Sequence, residues 1–197
     1  MKKRILAVVL AVSTMLMTGC DVSSDNSGSE SSSGIVEKEV NVWSTYNTAK
    51  VIRQTTKNEK YTQLPAEISV QMMRGEYEGA QLVLTSNAEV PYKLSKGELK
   101  NANGTVLPAE NISIYHQKYI EIARNYNGNP AYNAGDAIPD MLLPMDIAAE
   151  YGENIVKADS NQGVTVEFNS EGLEAGVYTG NFVLEIDGEK QNIPVSV

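Results

Sequence analysis

The sequence predicts an all-β protein, an antiparallel β-sandwich of the immunoglobulin-like kind, preceded by a signal peptide and a disordered serine-rich linker. Two observations predict the sandwich. Apolar and polar residues alternate with a period of two in one segment after another, which is typical of strands that bury one face. Short turns containing glycine and asparagine separate these segments, and no stretch carries a sustained helical stripe of apolar residues.

Residues 1–19 have the pattern of a bacterial lipoprotein signal peptide. Three basic residues at positions 2–4 precede an uncharged apolar run from Ile5 to Thr18. A spanning helix needs roughly 20 apolar residues, so this shorter run fits the apolar region of a signal peptide better. The alternative is a short buried helix of a cytosolic protein. The run closes in the motif Met17-Thr18-Gly19-Cys20, which matches a lipobox except that methionine stands where leucine is commonest.

Cys20 is the only cysteine of the chain, so it has no internal partner for a disulfide. Lipidation would consume a thiol that would otherwise be exposed and reactive. The sequence therefore predicts that Cys20 anchors the chain to the cell membrane, facing the extracytoplasmic side.

The remaining chain divides into a tether and one domain. Residues 20–36 are polar and dominated by serine, so they cannot bury enough apolar surface to order themselves and should form a flexible tether. Residues 37–197 are long enough for one sizeable core and should form the sandwich. Without the three basic residues of the leader, 13 basic and 25 acidic residues give a net charge of −12. This charge disfavours nucleic acid and anionic lipid as partners and permits a neutral polysaccharide.

The predicted strands follow from their alternating apolar residues. They comprise Ile68–Met72, the more continuously apolar Ala80–Leu84, which suits a central strand, Val164–Phe168, Tyr178–Ile186 and Ile193–Val197, where Pro194 favours an edge. Asn103-Gly104 and Asp187-Gly188 predict hairpin turns, and Asp146–Tyr151 is the best candidate for a helix.

One strand contains an irregularity and the only histidine. Ile112, Ile114, Ile120 and Ile122 share parity, but His116 and Lys118 interrupt the apolar face, which predicts either a β-bulge or a strand that leaves the core. A single histidine without a neighbouring cysteine or second histidine is expected to be structural or on the surface. The sequence predicts no metal site and no cofactor.

The longest irregular segment covers residues 125–145. A connection of this length is usually functional or packs against another surface. Tyr126 and Tyr132 beside asparagine, glycine and Asp136 form a mixture of flat rings and polar groups that suits sugar contacts, and Trp43 is a further candidate for stacking. The run Ile138–Pro144, which contains Asp140, predicts an apolar loop that either caps the core or docks onto a second domain.

Four motifs occur in a fixed order and together resemble one family. They are Val42-Trp43-Ser44, Arg74–Leu84 (RGEYEGAQLVL), Ile138–Pro144 (IPDMLLP), and Asn161–Phe168 followed by Glu174–Ile186. The domain from about Val40 to Val197 resembles the N-terminal β-sandwich of bacterial glycoside hydrolase family 123-like proteins, the group with a barrel of unknown function, DUF4091. The resemblance implies that a catalytic (β/α)8 barrel carrying the acidic pair would follow the sandwich.

Two functional hypotheses follow. In the first, the chain is the non-catalytic N-terminal domain, or a fragment, of a surface-anchored glycoside hydrolase-like lipoprotein, and it supports a barrel that would begin beyond Val197. In the second, it is a free-standing carbohydrate-binding or adhesion lipoprotein. The candidate contacts to carbohydrate or to a second domain are Trp43, Tyr126, Tyr132 and Asp140. A catalytic role for this chain alone ranks below both, because a glycosidase needs two carboxylates across the scissile bond and the sequence identifies no such pair.

Overall fold

Alternating apolar residues build two sheets that pack face to face, so the predicted all-β sandwich is confirmed. The computed structural model describes residues 37–124 and 132–197. The predicted signal peptide, the lipidation site Cys20, the whole of the predicted tether and Tyr126 lie outside these ranges.

Sheet A contains five antiparallel strands in the order β1-β3-β9-β6-β7. Numbered along the chain, its strands are β1 (Val40–Thr45), β3 (Tyr77–Ser86), β6 (Ile112–Glu121), β7 (Ala137–Pro144) and β9 (Ser160–Asn169). The apolar run Ala80–Leu84 lies in β3, between β1 and β9, as its continuous apolar character predicts.

Sheet B contains the other described strands in the order β2-β11-β10-β4-β8, and β5 also pairs with β10. Its strands are β2 (Ile68–Ser69), β4 (Val90–Ser95), β5 (Leu99–Lys100), β8 (Ile155–Val156), β10 (Thr179–Ile186) and β11 (Glu189–Ser196). The edge position predicted for β11 is wrong at one end, because β2 pairs in parallel with Val195 and Ser196, beyond Pro194.

The main core lies between the sheets. Leu82, Val166 and Phe168 of sheet A face Phe182 and Leu184 of sheet B, and all five are at most 1% exposed. The rings of Phe168 and Phe182 lie 6.4 Å apart at a tilted angle. Each such side chain contributes about 1.5–3 kcal/mol through burial, so this layer supplies much of the driving force for folding.

The predicted turns and helix are present. Asp187 and Gly188 have φ values of 52° and 87°, the left-handed pair that a two-residue hairpin turn requires, and they join β10 to β11. Gly104 has φ 83° in the turn after β5. The helix α1 spans Met145–Glu150, and short 3-10 helices cover Thr55–Lys60 and Ala109–Asn111. None of the helices in the described ranges is long and apolar enough to cross a membrane.

Of the two explanations for the interrupted face of β6, the β-bulge is confirmed, whereas the prediction of an irregular segment over residues 125–145 is wrong for its second half. The register between β6 and β7 shifts at Lys118 and Tyr119. The run Ile138–Pro144, expected to form an apolar loop, instead lies in β7 at the edge of sheet A. Both prolines of this run are tolerated because an edge strand leaves one row of backbone groups unpaired.

Residues 46–64 form a second layer on the outer face of sheet A, and this segment is called the cover. It leaves the sheet after β1 and returns at Leu64, whose backbone exchanges two hydrogen bonds with Ser44. Val51 of the cover is fully buried against Trp43 and Val83 in a small apolar cluster on the side of the sheet opposite the main core. The cover therefore converts part of an outer face into an interior.

Candidate functional site

A cleft of about 340 Å³ lies on the outer face of sheet A, between residues 47–50 of the cover and β7. Its floor is polar and comes from three neighbouring strands. Gln81 lies on β3 opposite Thr165 on β9, and Gln117 lies on β6. These side chains point away from the main core because their parity is opposite to that of Leu82 and Val166.

Hydrogen bonds join the three floor residues. The Gln117 amide donates from Nε2 to Gln81 Oε1 at 3.1 Å and to Thr165 Oγ1 at 2.9 Å. This arrangement depends on Gly163, because a Cβ at that position would stand 1.9 Å from Gln117 Oε1. Glycine in the middle of β9 thus lets the Gln117 side chain lie flat on the sheet.

The floor leaves polar atoms without partners. Among the described residues, Gln81 Nε2 and Gln117 Oε1 are buried and make no hydrogen bond, and the same holds for Thr45 Oγ1, whose residue lies opposite Gln81 on β1. Gln81 is 1% exposed and Gln117 is 5% exposed. A buried polar group without a partner costs about 1–3 kcal/mol, so the cleft maintains a donor and an acceptor at a cost in stability.

The walls of the cleft combine apolar groups with charge. Pro139, Met141 and Leu142 line the β7 side, and Met141 and Leu142 are about half exposed. Tyr77 is 64% exposed, and its hydroxyl accepts a hydrogen bond from Asn169 Nδ2 at 2.9 Å, which fixes the ring.

The rim carries more negative than positive charge. Three carboxylates, those of Glu78, Glu167 and Asp140, line the cleft together with one lysine, Lys50. No cluster of three or more histidine, cysteine, aspartate or glutamate side chains that could hold a metal ion is found in the described part of the chain.

The sequence-predicted contacts do not converge on one place. Asp140 lines the cleft. Trp43 is 3% exposed, and its indole Nε1 donates to Thr85 Oγ1 at 2.9 Å, so its ring holds the cover and offers no open face to a sugar.

Tyr132 is half-buried near Tyr61 of the cover and takes no part in lining the cleft. Burial raises the pKa of the Tyr61 hydroxyl, and the neighbouring Tyr132 and Asp136 raise it further, while a backbone hydrogen bond from Ile52 opposes them.

The only histidine is structural, as the sequence predicts. His116 is 4% exposed, and its Nδ1 lies 2.7 Å from the hydroxyl of Tyr92 across the sandwich interior. Burial lowers the pKa of His116 from 6.5 to about 4; among weaker influences, Glu153 raises it, and Lys118 and Arg53 lower it. The residue is therefore a neutral core group at ordinary pH.

Sequence interpretation missed the floor of the cleft. One signal was available, because Gln81 is the single polar residue inside the otherwise apolar run Ala80–Leu84. A polar side chain in a central strand indicates a partner or a ligand on that face. Gln117 gives no comparable signal, because it belongs to a strand already interrupted by His116 and Lys118.

Comparison with known proteins identifies the fold. No family model and no curated protein sequence matches the chain. A family 123 glycoside hydrolase from Clostridium perfringens, which acts in glycolipid glycan hydrolysis, is similar in structure with a TM-score of 0.60 and 15% identity. The match covers 80% of this chain but 27% of that enzyme, so the chain spans about a quarter of the enzyme's length.

Two further solved structures match with lower TM-scores. The PapD-like domain 7 of human CEP192 gives 0.36 at 15% identity, covering 66% of this chain and 78% of that domain. AvmM, which catalyses macrocyclization in alchivemycin A biosynthesis, gives 0.29 at 11% identity, covering 76% of this chain and 96% of that protein. At such identities, the match to the hydrolase shows that the two share a fold.

Proposed function

We propose that this chain is the non-catalytic N-terminal β-sandwich domain, or a fragment containing it, of a surface-anchored glycoside hydrolase-like lipoprotein, and that it supports a (β/α)8 barrel of the DUF4091 kind. One observation carries the proposal: the match to the family 123 hydrolase covers most of this chain and only 27% of the enzyme. The rest of that enzyme has no counterpart here, which is the relation expected between an accessory domain and a larger hydrolase.

The exposed edge strand of sheet A favours contact with a second domain. Met141 and Leu142 are 49% and 51% exposed on β7, whose outer row of backbone groups has no neighbouring strand in the described residues. Exposed apolar residues on an open edge favour unwanted pairing, so proteins usually cover or charge such edges. A barrel packed against β7 would bury both side chains.

The proposed attachment follows from the sequence alone. Lipidated Cys20 would hold the chain in the cell membrane on its extracytoplasmic side, and residues 21–36 would space the sandwich from the lipid surface. Metabolic labelling with a palmitate analogue tests this proposal. We expect label for the wild type, recovered in the membrane fraction, and no label for the Cys20→Ser chain. A wild-type chain without label, or a labelled Cys20→Ser chain, would contradict the anchor at Cys20.

The proposed accessory role is tested first by sequencing the gene beyond the codon of Val197 and then by experiments on the protein. We expect a barrel-coding region in frame after, or adjacent to, the codon of Val197. A stop codon with no barrel-coding region nearby would contradict the proposal. Where the barrel exists, it should hydrolyse aryl N-acetylhexosaminides and should lose thermal stability when expressed without the sandwich.

A matched pair of substitutions locates the contact. Met141→Lys places a charge on the exposed edge and should weaken association between sandwich and barrel. Val106→Lys changes an apolar residue of similar exposure (42%) in the turn region after β5 and should leave association unchanged. Equal effects of both substitutions would exclude β7 as the docking edge.

A further inference from the structure

We propose that the cleft on the outer face of sheet A binds a neutral saccharide, one or two sugar units of an uncharged glycan. The proposal concerns this chain's own residues and is made for the chain without a barrel on β7, because a barrel packed over Met141 and Leu142 would cover one wall of the cleft. It starts from the unpaired buried atoms of the floor, Gln81 Nε2 and Gln117 Oε1.

The floor offers the two hydrogen-bonding functions that a sugar hydroxyl needs. A hydroxyl group both donates and accepts, so it suits an unpaired donor beside an unpaired acceptor. Gln81 Nε2 and Gln117 Oε1 have almost no exposed area, so a sugar hydroxyl reaches them only when the two amide groups turn toward the cleft. The ligand then replaces the weaker of the bonds of Gln117 Nε2 to Gln81 and Thr165 and provides the partners that the two buried atoms lack.

The walls suit the apolar faces of sugar rings. Tyr77 presents an exposed ring held by its hydrogen bond to Asn169, and Met141 and Leu142 provide aliphatic surface on the β7 side. A volume of about 340 Å³ lies at the lower end of the roughly 300–1,000 Å³ typical of small-molecule sites. The cleft therefore fits a short saccharide better than an extended polymer chain.

The charge of the rim selects against anionic ligands. Three carboxylates and one lysine line the cleft, and the whole chain carries a formal charge of −9. Phosphorylated or uronic-acid sugars would be repelled, whereas neutral hydroxyl groups can donate charge-assisted hydrogen bonds to Glu78, Glu167 or Asp140. The ligand is thus defined as uncharged and rich in hydroxyl groups.

The test uses the full chain, purified in lauryldimethylamine oxide because maltoside and glucoside detergents carry sugar headgroups that would compete. Isothermal titration calorimetry and saturation-transfer NMR are run with N,N′-diacetylchitobiose, lactose and cellobiose, and with an anionic hyaluronan tetrasaccharide. We expect saturable binding of at least one neutral disaccharide and weaker or no binding of the tetrasaccharide.

Two substitutions in the cleft and two matched controls locate the site. Gln81→Met removes the unpaired donor, and Tyr77→Ala removes an exposed ring without touching the core; each should weaken binding about tenfold. Gln191→Met on β11 and Tyr151→Ala after α1 change exposed residues of the same types outside the cleft and should leave Kd unchanged.

Several results would overturn the proposal. They are the failure of every neutral disaccharide to bind, equal Kd values for the cleft variants and their controls, and tighter binding of the hyaluronan tetrasaccharide. If the amides hold ordered water only, no probe binds. The accessory role is tested by different substitutions and another readout, so either proposal can fail alone.

Discussion

The outer faces of the two sheets differ in what happens to their polar residues. On sheet B, Lys93, Asn181 and Lys190 are exposed, as alternation in a half-buried strand predicts. On sheet A, the corresponding row contains Gln81 and Asn161, each 1% exposed. The same alternating pattern thus produces a solvated face on one sheet and a buried polar layer on the other.

The difference arises because only sheet A carries the cover. Asn161 of β9 links sheet A to the cover. Its Nδ2 donates to the carbonyl of Ile52 at 3.0 Å and to Asn58 Oδ1 at 2.6 Å, both in the cover. Its Oδ1 accepts a hydrogen bond from Thr85 Oγ1 of β3 at 2.7 Å. A buried network of this kind rigidifies a structure when complete and costs much when one member is lost. Polar residues on sheet A therefore act as interior residues.

The largest expected effect breaks this network. Asn161→Ala leaves the Ile52 carbonyl and the Asn58 amide without their partner and should lower the free energy of unfolding by about 3 kcal/mol, because each unpaired buried group costs about 1–3 kcal/mol. Asn181→Ala, the same change on the exposed face of sheet B, should stay within about 0.5 kcal/mol of wild type. Urea unfolding of both variants measures the difference. Similar losses in the two variants would refute the contrast between the sheets.

The sequence predicts the layers well where burial follows alternation. Val164, Val166 and Phe168 point into the core as expected, and the turn at Asp187-Gly188 and the bulge near Lys118 follow from local chemistry. These features depend on neighbours within a few residues, so the local pattern contains them.

The sequence does not predict the cover, because the conformation of residues 46–64 depends on contacts with residues that are distant in the sequence. Val51 and Ile52 are adjacent and both buried, which fits neither a strand period nor a helix period. Their partners, Val83 and Asn161, are far away in the sequence. The same limit applies to the cleft, whose floor residues Gln81, Gln117 and Thr165 are brought together only by the pairing of β3, β9 and β6.

Acidic pH should lower the free energy of unfolding through His116, a residue of the sandwich interior that belongs to neither outer face. Because His116 has a pKa of about 4 when folded and about 6.5 when unfolded, the unfolded chain takes up its proton first as the pH falls. The stability that depends on neutral His116 is complete above pH 6.5 and decreases from there to about pH 4, by about 3 kcal/mol in all.

The His116→Gln variant isolates this loss. Glutamine does not titrate in this range and can still pair with the Tyr92 hydroxyl, so the variant should lose about 3 kcal/mol less than the wild type between pH 7 and pH 4. Urea unfolding at a series of pH values measures both curves, and the acidic residues common to the two proteins cancel in the difference. If the two curves of unfolding free energy against pH were parallel, folding would leave the pKa of His116 unchanged, and the prediction would be wrong.

The smallest expected effect compares one ion pair in each region. In the cover, Lys57 Nζ lies 2.6 and 2.7 Å from the two carboxylate oxygens of Asp136, and the Asp136 side chain is 9% exposed. On sheet B, Lys190 lies 3.5 Å from Glu185, and both side chains are largely exposed. Lys57→Met should cost about 1–2 kcal/mol because it leaves a buried carboxylate with less compensation, whereas Lys190→Met should cost no more than about 0.5 kcal/mol. Both variants replace a lysine by methionine, so the difference between their unfolding free energies in urea reports the effect of location.

The pH dependence of the Lys57 pair sharpens the test. The hydrogen bond from Lys57, and then that from the Asn133 backbone N–H, hold the pKa of Asp136 below its ordinary value. The stabilisation is therefore present above that ordinary value and disappears as the pH falls through the lowered pKa. The difference between wild type and Lys57→Met should shrink in acid, while that for Lys190→Met stays small throughout. A loss for Lys57→Met that persists at low pH would mean that the lysine stabilises the cover through its aliphatic stem, and the buried charge pair would then cease to distinguish the two faces.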